Sequence, residues 1–375
     1  MIGFVSFSGI GSDKGTGGIE IYYKNKIQTV KDYIFFTNNN TNTFDKKNFA
    51  TYIYLTFFRR NINDFFLRSH IDWYFKLYTA MKKYKNVLEY VEVADSFGYG
   101  IIPYILKIPY IVKTHCPHSV KIDLNHWEMN KWNKRITKIE KKALRNAKKI
   151  ISPSKAMLDY LLSHKWKLNT NKCFILQNGY YAPHSHLTEK KNQILFVGNL
   201  EPQKNLELLV KTYLNHSEFN KYELIICGSD RYIFNAKTKK NESYWNYLVN
   251  KYPQIKNSNI KYLGFIQNDK LIEYYSLAKI IVVPSTEFEN FPTVILEGFN
   301  NDAIVFGART GGIPEMIQDE KTGFLFKDQD ETTLFECLLK YEKLSNAEIQ
   351  QIIYNAHHFI SIANKQIEKK YLSFL

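Results

Sequence analysis

Apolar runs of strand length alternate with helix-like patterns on both sides of a polar break, and that alternation restricts the chain to few architectures. A run such as Ile280-Ile281-Val282-Val283 is apolar throughout rather than at every second residue, the mark of a strand buried on both faces of a parallel sheet. Strands of this kind separated by helical patterns imply sheets covered by helices, an α/β fold. The break falls near Ala182-Pro183-His184-Ser185-His186 and the polar Thr188 to Asn192. At 375 residues the chain is longer than one hydrophobic core usually supports, so two domains are expected. The expected boundaries are 1–183, 188–356 and a final segment 357–375, in which the mixed apolar and lysine pattern from Ile360 to Leu375 reads as a helix. No internal sequence repeat is visible, so the halves are expected to be alike in fold only.

Two acidic residues, Glu289 and Glu297, frame the segment that follows the Ile280–Val283 run, with Pro292 between them. Proline suits the first turn of a helix, where its missing N–H costs nothing, so the chain reads as strand, loop, helix. Glu289 then lies in the loop and Glu297 more than one turn along the helix. Free amides near Asn290 and Phe291 favour an anion, above all a phosphate, and a carboxylate beside such a phosphate suits hydroxyl groups. Phosphate plus sugar is the ligand so described. Taken alone, the pair also reads as two solvated glutamates on a surface helix. Further on, Thr310-Gly-Gly-Ile-Pro-Glu315 and Gly323 mark backbone that must turn tightly or approach another group closely.

Other candidates are scattered along the chain. Gly17 and Gly18 lie in a glycine-rich loop after the Ile2–Phe7 strand, and Lys204 follows the run ending at Phe196-Val-Gly-Asn199. The loop reads either as a flexible turn or as a phosphate cradle, and Lys204 either as one solvated lysine among many or as a phosphate ligand. His115, in Thr114-His115-Cys116-Pro117-His118, is either a hydrogen-bonded structural histidine or a group facing the ligand crevice at a strand's carboxyl end; His118 competes for that assignment.

In their order and spacing, the Glu289/Glu297 frame, the Gly-Gly-Ile-Pro-Glu315 turn and the Thr322-Gly323-Phe324 turn resemble the family 4 retaining glycosyltransferases. The resemblance implies the GT-B fold, with two facing Rossmann-like domains: an N-terminal acceptor-binding domain, a C-terminal nucleotide-sugar domain, and a last helix that returns to the first. It also implies roles. Lys204, Asn199, Gly17, Gly18 and the amides of Asn290 and Phe291 would contact the donor diphosphate; backbone near Gly264 and Phe265 would contact the base; Glu297 would bind the ribose. Glu289 would hold hydroxyls of the donor sugar, and His115 would lie near the reacting sugar. The expected enzyme is a retaining hexosyltransferase that uses a UDP- or GDP-sugar as substrate and needs no cofactor. Its acceptor would be a surface glycan, such as lipopolysaccharide or capsule, or a lipid-linked acceptor of polysaccharide biosynthesis. No Asp-x-Asp stands where a divalent-ion clamp would need it, so no metal is expected.

Three positions depart from that family. Asn199 stands where relatives commonly have arginine; its amide carries no charge, so diphosphate binding is expected to be weaker unless Arg231 or Arg309 compensates. Pro292 replaces a glycine, and Gly298-Phe-Asn-Asn-Asp302 replaces a more apolar stretch. A basic GT-B enzyme that glycosylates DNA, or a sugar-nucleotide or polyanion binding protein without turnover, are the alternatives these departures and the charge leave open.

Lysine and arginine number 51 against 36 acidic residues, a formal charge of +15 that attracts anionic partners. Much of the excess lies between Lys121 and Lys149, where lysines share an expected helix with Trp132, Ile136, Ile139, Ala143 and Leu144; such a helix suits an anionic membrane surface or, equally, a packed face with a solvated one. Aromatic-arginine pairs at Phe57 to Arg60 and Phe65 to Arg68 suit a headgroup boundary in the same way. The stretches from Thr37 to Lys47 and from Arg59 to Tyr78 read as loops. Cys116, Cys173, Cys227 and Cys337 lack metal-like spacing and read mostly as buried free thiols. With no signal-like head and no span-length apolar run, the expected place is the cytoplasm, with peripheral attachment to the inner face of the cytoplasmic membrane as an option; nucleic acid is not the expected partner.

Overall fold

The computed structural model describes residues 1–5, 33–36, 65–124, 128–182, 189–235, 240–286 and 288–371. It divides into two units, Met1–Gly179 with Gln366–Leu375, and Tyr180–Lys365.

In the N-terminal unit, β1 (Ile2–Val5), β2 (Tyr33–Phe36), β3 (Tyr90–Ala94), β4 (Tyr110–Lys113), β5 (Lys149–Ser152) and β6 (Cys173–Ile175) form one parallel sheet in the order β2-β1-β3-β4-β5-β6. Every residue of β3 and β4 is buried, as expected of strands covered on both faces. Strand order reverses at β1, so the crevice of this sheet lies outside the carboxyl ends of β1 and β3. Beyond the last long helix, Ile367 packs with Tyr90, Ile111, Ile151 and Leu176 in the core of this unit.

The C-terminal unit has a second parallel sheet: β7 (Lys191–Val197), β8 (Glu223–Cys227), β11 (Ile260–Tyr262), β12 (Ala278–Val283), β13 (Ile304–Ala308) and β14 (Phe324–Phe326), in the order β11-β8-β7-β12-β13-β14. A short antiparallel ribbon, β9 (Tyr232–Asn235) with β10 (Lys240–Ser243), stands apart from it. Set aside the ribbon and the order is three-two-one-four-five-six, that of dinucleotide-binding sheets, with the reversal between β7 and β12. Ile194, Phe196, Leu224, Ile226, Ile280, Val282 and Phe306 meet the flanking helices in one core cluster.

Several local expectations need correction. Residues 65–78 are not a loop: Phe65–Tyr84 is a single helix, with Trp73, Leu77 and Met81 buried at four-residue intervals along one face. The basic helix is shorter than expected, Lys131–Asn146; Asn130 caps it by accepting from the amides of Trp132 and Asn133, and Lys149 already belongs to β5. All four thiols are free, but only Cys227 and Cys337 are buried, while Cys116 and Cys173 are half-buried. The helix at the C-terminal end starts at Asn346 rather than Ile360 and runs to Gln366.

Candidate functional site

The reversal in the C-terminal sheet gathers the polar residues. β7 is followed by Gly198 and Asn199, a half-buried amide side chain, and Gly198 lies so close to Gly228, just past β8, that a Cβ on Gly228 would come 1.7 Å from the Gly198 carbonyl oxygen. A short turn, Pro202–Lys204, follows, and Asn205, at a left-handed φ of 50°, caps the helix Leu206–Asn215 by accepting from the Leu208 amide. This turn swings the Lys204 side chain over to the end of β12. There its ammonium is bonded to Oε1 of Glu289.

Glu289 is held from two further directions, and its loop is tied to the Pro202–Lys204 turn by a third bond. The buried Ser285 donates its hydroxyl to the same Oε1 at 2.9 Å, Thr286 N–H donates to the Gln203 carbonyl at 3.0 Å, and Gly312 N–H donates to the Glu289 carbonyl at 2.6 Å. Gly311, with φ at +52°, makes the last contact possible: a Cβ there would lie 2.1 Å from the Glu289 carbonyl oxygen. The glycine pair read as a close approach in the sequence is therefore the backbone seat of Glu289.

Pro292 lies one residue ahead of the helix it was expected to open, taking the N-cap position of Thr293–Asn300. The first turn of the helix adds the amides of Thr293 and Val294, and Asn290 and Phe291 lie just ahead of it, both buried. Glu297 does lie on this helix, half-buried, and accepts from the hydroxyl of Tyr275. Burial pushes its carboxyl up to about 7, although the Tyr275 bond pulls the other way. Lys190 ties together the ends of the helices that carry these two residues, donating to the carbonyls of Ala278 at 3.0 Å, Tyr275 at 3.4 Å and Asn301. Beyond β11, Gly264 has a φ of +74° with open space around it, and Phe265 is 48% exposed.

In the N-terminal unit Gly17 and Gly18 lie outside the described residues. His115 stands two residues past β4, half-buried, in a loop held from beneath by a buried carboxylate: Asp95, at the end of β3, accepts from the amides of His115 at 3.0 Å and Cys116 at 3.3 Å. A second, Glu140, fully buried on the basic helix, accepts from the amides of Phe97, His118 and Ser119 and from the Ser119 hydroxyl. Burial pushes both acids up to about 7 against the pull of those amides. Phe97, at a left-handed φ of 60°, lies between His70 and His118, whose ring centres are 3.6 and 4.5 Å from its own.

Ser285, Tyr275, Asp95 and Glu140 escaped the sequence reading. Asp95 had a usable signal, since the rule that singled out His115, a polar residue just past the carboxyl end of a parallel strand, applies to it equally.

Residues 182–359 match the family model described as glycosyl transferases group 1. The match lies within the C-terminal unit and spans a little under half of the chain. Among its relatives, the sulfoquinovosyl transferase of Arabidopsis thaliana is 36% identical over 96 residues, 24% of this chain and 18% of that protein. The lipopolysaccharide 1,2-N-acetylglucosaminetransferase of Salmonella typhimurium is 25% identical over 191 residues, 48% of this chain and 49% of that protein. The match thus spans less than two thirds of either relative. The chain also shares its fold with Anabaena HepE, solved in complex with UDP-glucose: TM-score 0.68 and 15% identity, covering 100% of this chain and 99% of that one. This likeness fits the α/β, GT-B class expected from the sequence. Among the described residues, no helix is long and apolar enough to cross a membrane.

Proposed function

We propose that the chain is a retaining, metal-independent glycosyltransferase that moves a sugar from a UDP- or GDP-linked donor to a surface-glycan or lipid-linked acceptor. The observation that carries this reading is the joining of Lys204 to Glu289 at the strand reversal of the C-terminal sheet, a cation for phosphate and a carboxylate for hydroxyls set side by side. In the proposed reaction the bond between the anomeric carbon and the diphosphate oxygen breaks, and the acceptor oxygen bonds to that carbon from the same face. The departing phosphate takes the acceptor's proton. Negative charge develops on that phosphate, so cationic and amide groups lower the barrier; Lys204 and the helix start at Thr293 and Val294 supply them, with Asn199 as a neutral donor. Glu289 holds the donor sugar, Glu297 the ribose, and Phe265 with its neighbouring backbone the base. His115 serves the reacting sugar. The UDP-glucose bound to HepE and the acceptor named for the Salmonella relative agree with this choice of ligands.

The test is to offer UDP- and GDP-sugars, with and without candidate glycan acceptors, and to follow nucleotide release together with sugar transfer. Acceptor-dependent release of UDP or GDP is expected. Tight nucleotide binding without release from any donor would instead favour a binding protein, the reading that Asn199 in place of arginine supports.

A further inference from the structure

We propose that Glu140 and Asp95 are positioning residues, a pair of buried carboxylates that fix the backbone of the His115 loop by taking up its amides. The inference rests on His115 serving the reacting sugar. From His115 to Ser119 the chain has four backbone N–H groups, because Pro117 has none. All four end on these two acids: His115 at 3.0 Å and Cys116 at 3.3 Å on Asp95, His118 at 2.8 Å and Ser119 at 3.1 Å on Glu140.

Each acid uses both of its oxygens. Oε1 of Glu140 accepts from His118 and also from Phe97 at 2.7 Å, while Oε2 takes the amide and hydroxyl of Ser119; Asp95 divides His115 and Cys116 between Oδ2 and Oδ1. An amide side chain has one accepting oxygen and cannot do this. Burying a carboxylate costs several kcal/mol unless it is fully hydrogen-bonded, so the arrangement holds only with the loop in this one shape. The same glutamate reaches the Asp95–Gly98 turn through Phe97, and the Ser96 hydroxyl donates to the Cys116 carbonyl at 2.8 Å, so the two loops are tied to one another. A loop whose amides are all taken cannot cradle a phosphate.

Glu140→Gln in the full-length chain tests this, with amide hydrogen exchange read beside steady-state kinetics. Exchange at Phe97, His118 and Ser119 is expected to quicken by about tenfold or more, and kcat to fall by a similar factor, while the KM for the nucleotide sugar stays within about twofold. If Glu140→Gln does not fold, Asp95→Asn carries the same test at His115 and Cys116, and Ser119→Ala should give a smaller change in the same direction. A folded variant with unchanged exchange overturns the proposal, and so does faster exchange with unchanged kcat. Should the unaltered protein turn over no donor at all, the proposed function fails by itself, and exchange at the four amides still decides whether the acids fix the loop.

Discussion

The ammonium of Lys204 and the carboxylate of Glu289, 85 residues apart in the chain, are bonded to one another at the carboxyl ends of adjacent strands β7 and β12. Glu289 is the more enclosed partner, its side chain 12% exposed against 28% for Lys204. Each answers the other's charge, and a bound diphosphate must draw Lys204 partly away. Glu289→Gln removes that competition and one acceptor for the donor sugar. UDP or GDP affinity, measured calorimetrically, should hold or improve, while transfer falls on the order of 10- to 100-fold, the worth of a hydrogen bond to a charged group. Lys204→Ala should weaken both. Full transfer by Glu289→Gln would remove Glu289 from the mechanism.

Gly311 and Gly264 both have positive φ, but only one is crowded. A Cβ on Gly311 meets the Glu289 backbone, whereas a Cβ on Gly264 meets nothing within 4 Å. Gly264→Ala should therefore cost only the conformational penalty of about 1–2 kcal/mol in thermal or urea unfolding. Gly311→Ala should cost more, and it should also displace Glu289 and depress transfer beyond any loss of stability. Equal effects of the two substitutions on transfer would mean that Glu289 does not depend on its backbone seat.

The parts of this molecule legible in the sequence are those set by backbone chemistry. Continuous apolar runs gave away the parallel strands, and the glycines of the Thr310–Glu315 turn announced a close approach, because both follow from steric rules that act over a few residues. Contacts between residues far apart in the chain left no such trace. Tyr275 reaches Glu297, and Glu140 reaches Phe97 and Ser119, only after the helices that carry them have packed. The helix Phe65–Tyr84 was missed for a different reason: its aromatic and basic residues obscured the regular spacing of Trp73, Leu77 and Met81.

Glu297 should give nucleotide binding a pH dependence. Its carboxyl titrates near 7, faced by the hydroxyl of Tyr275 and by Tyr180, whose own ionisation Glu297 and burial oppose. Below that pH the group is neutral and accepts weakly; above it the carboxylate accepts from ribose hydroxyls at full strength. UDP-glucose is the suitable probe, since its phosphate groups keep their charge through this range. Its affinity should rise by up to about tenfold between about pH 6 and pH 8, as expected when only the ionised form binds. Glu297→Gln should bind more weakly at high pH and lose the slope. A slope that survives the substitution belongs to another group.

The missing positive charge at Asn199 can be put back. Of the two arginines able to compensate, Arg309 is engaged by Asp319, whereas Arg231 is exposed and its amide donates to the Leu200 carbonyl at 3.2 Å, next door to Asn199. Arg231 is therefore the better placed to serve a diphosphate. Arg231→Ala should weaken UDP or GDP by about three- to tenfold, and Asn199→Arg should tighten it by a similar factor, the scale of one charge-assisted contact at a partly exposed site. The double variant should lie near the unaltered protein, because one guanidinium replaces the other. Raising the salt concentration should shrink all three differences together. If Arg231→Ala leaves affinity untouched while Asn199→Arg raises it, the site works with Lys204 as its only cation, and cleavage of the donor should be slow until that arginine is supplied.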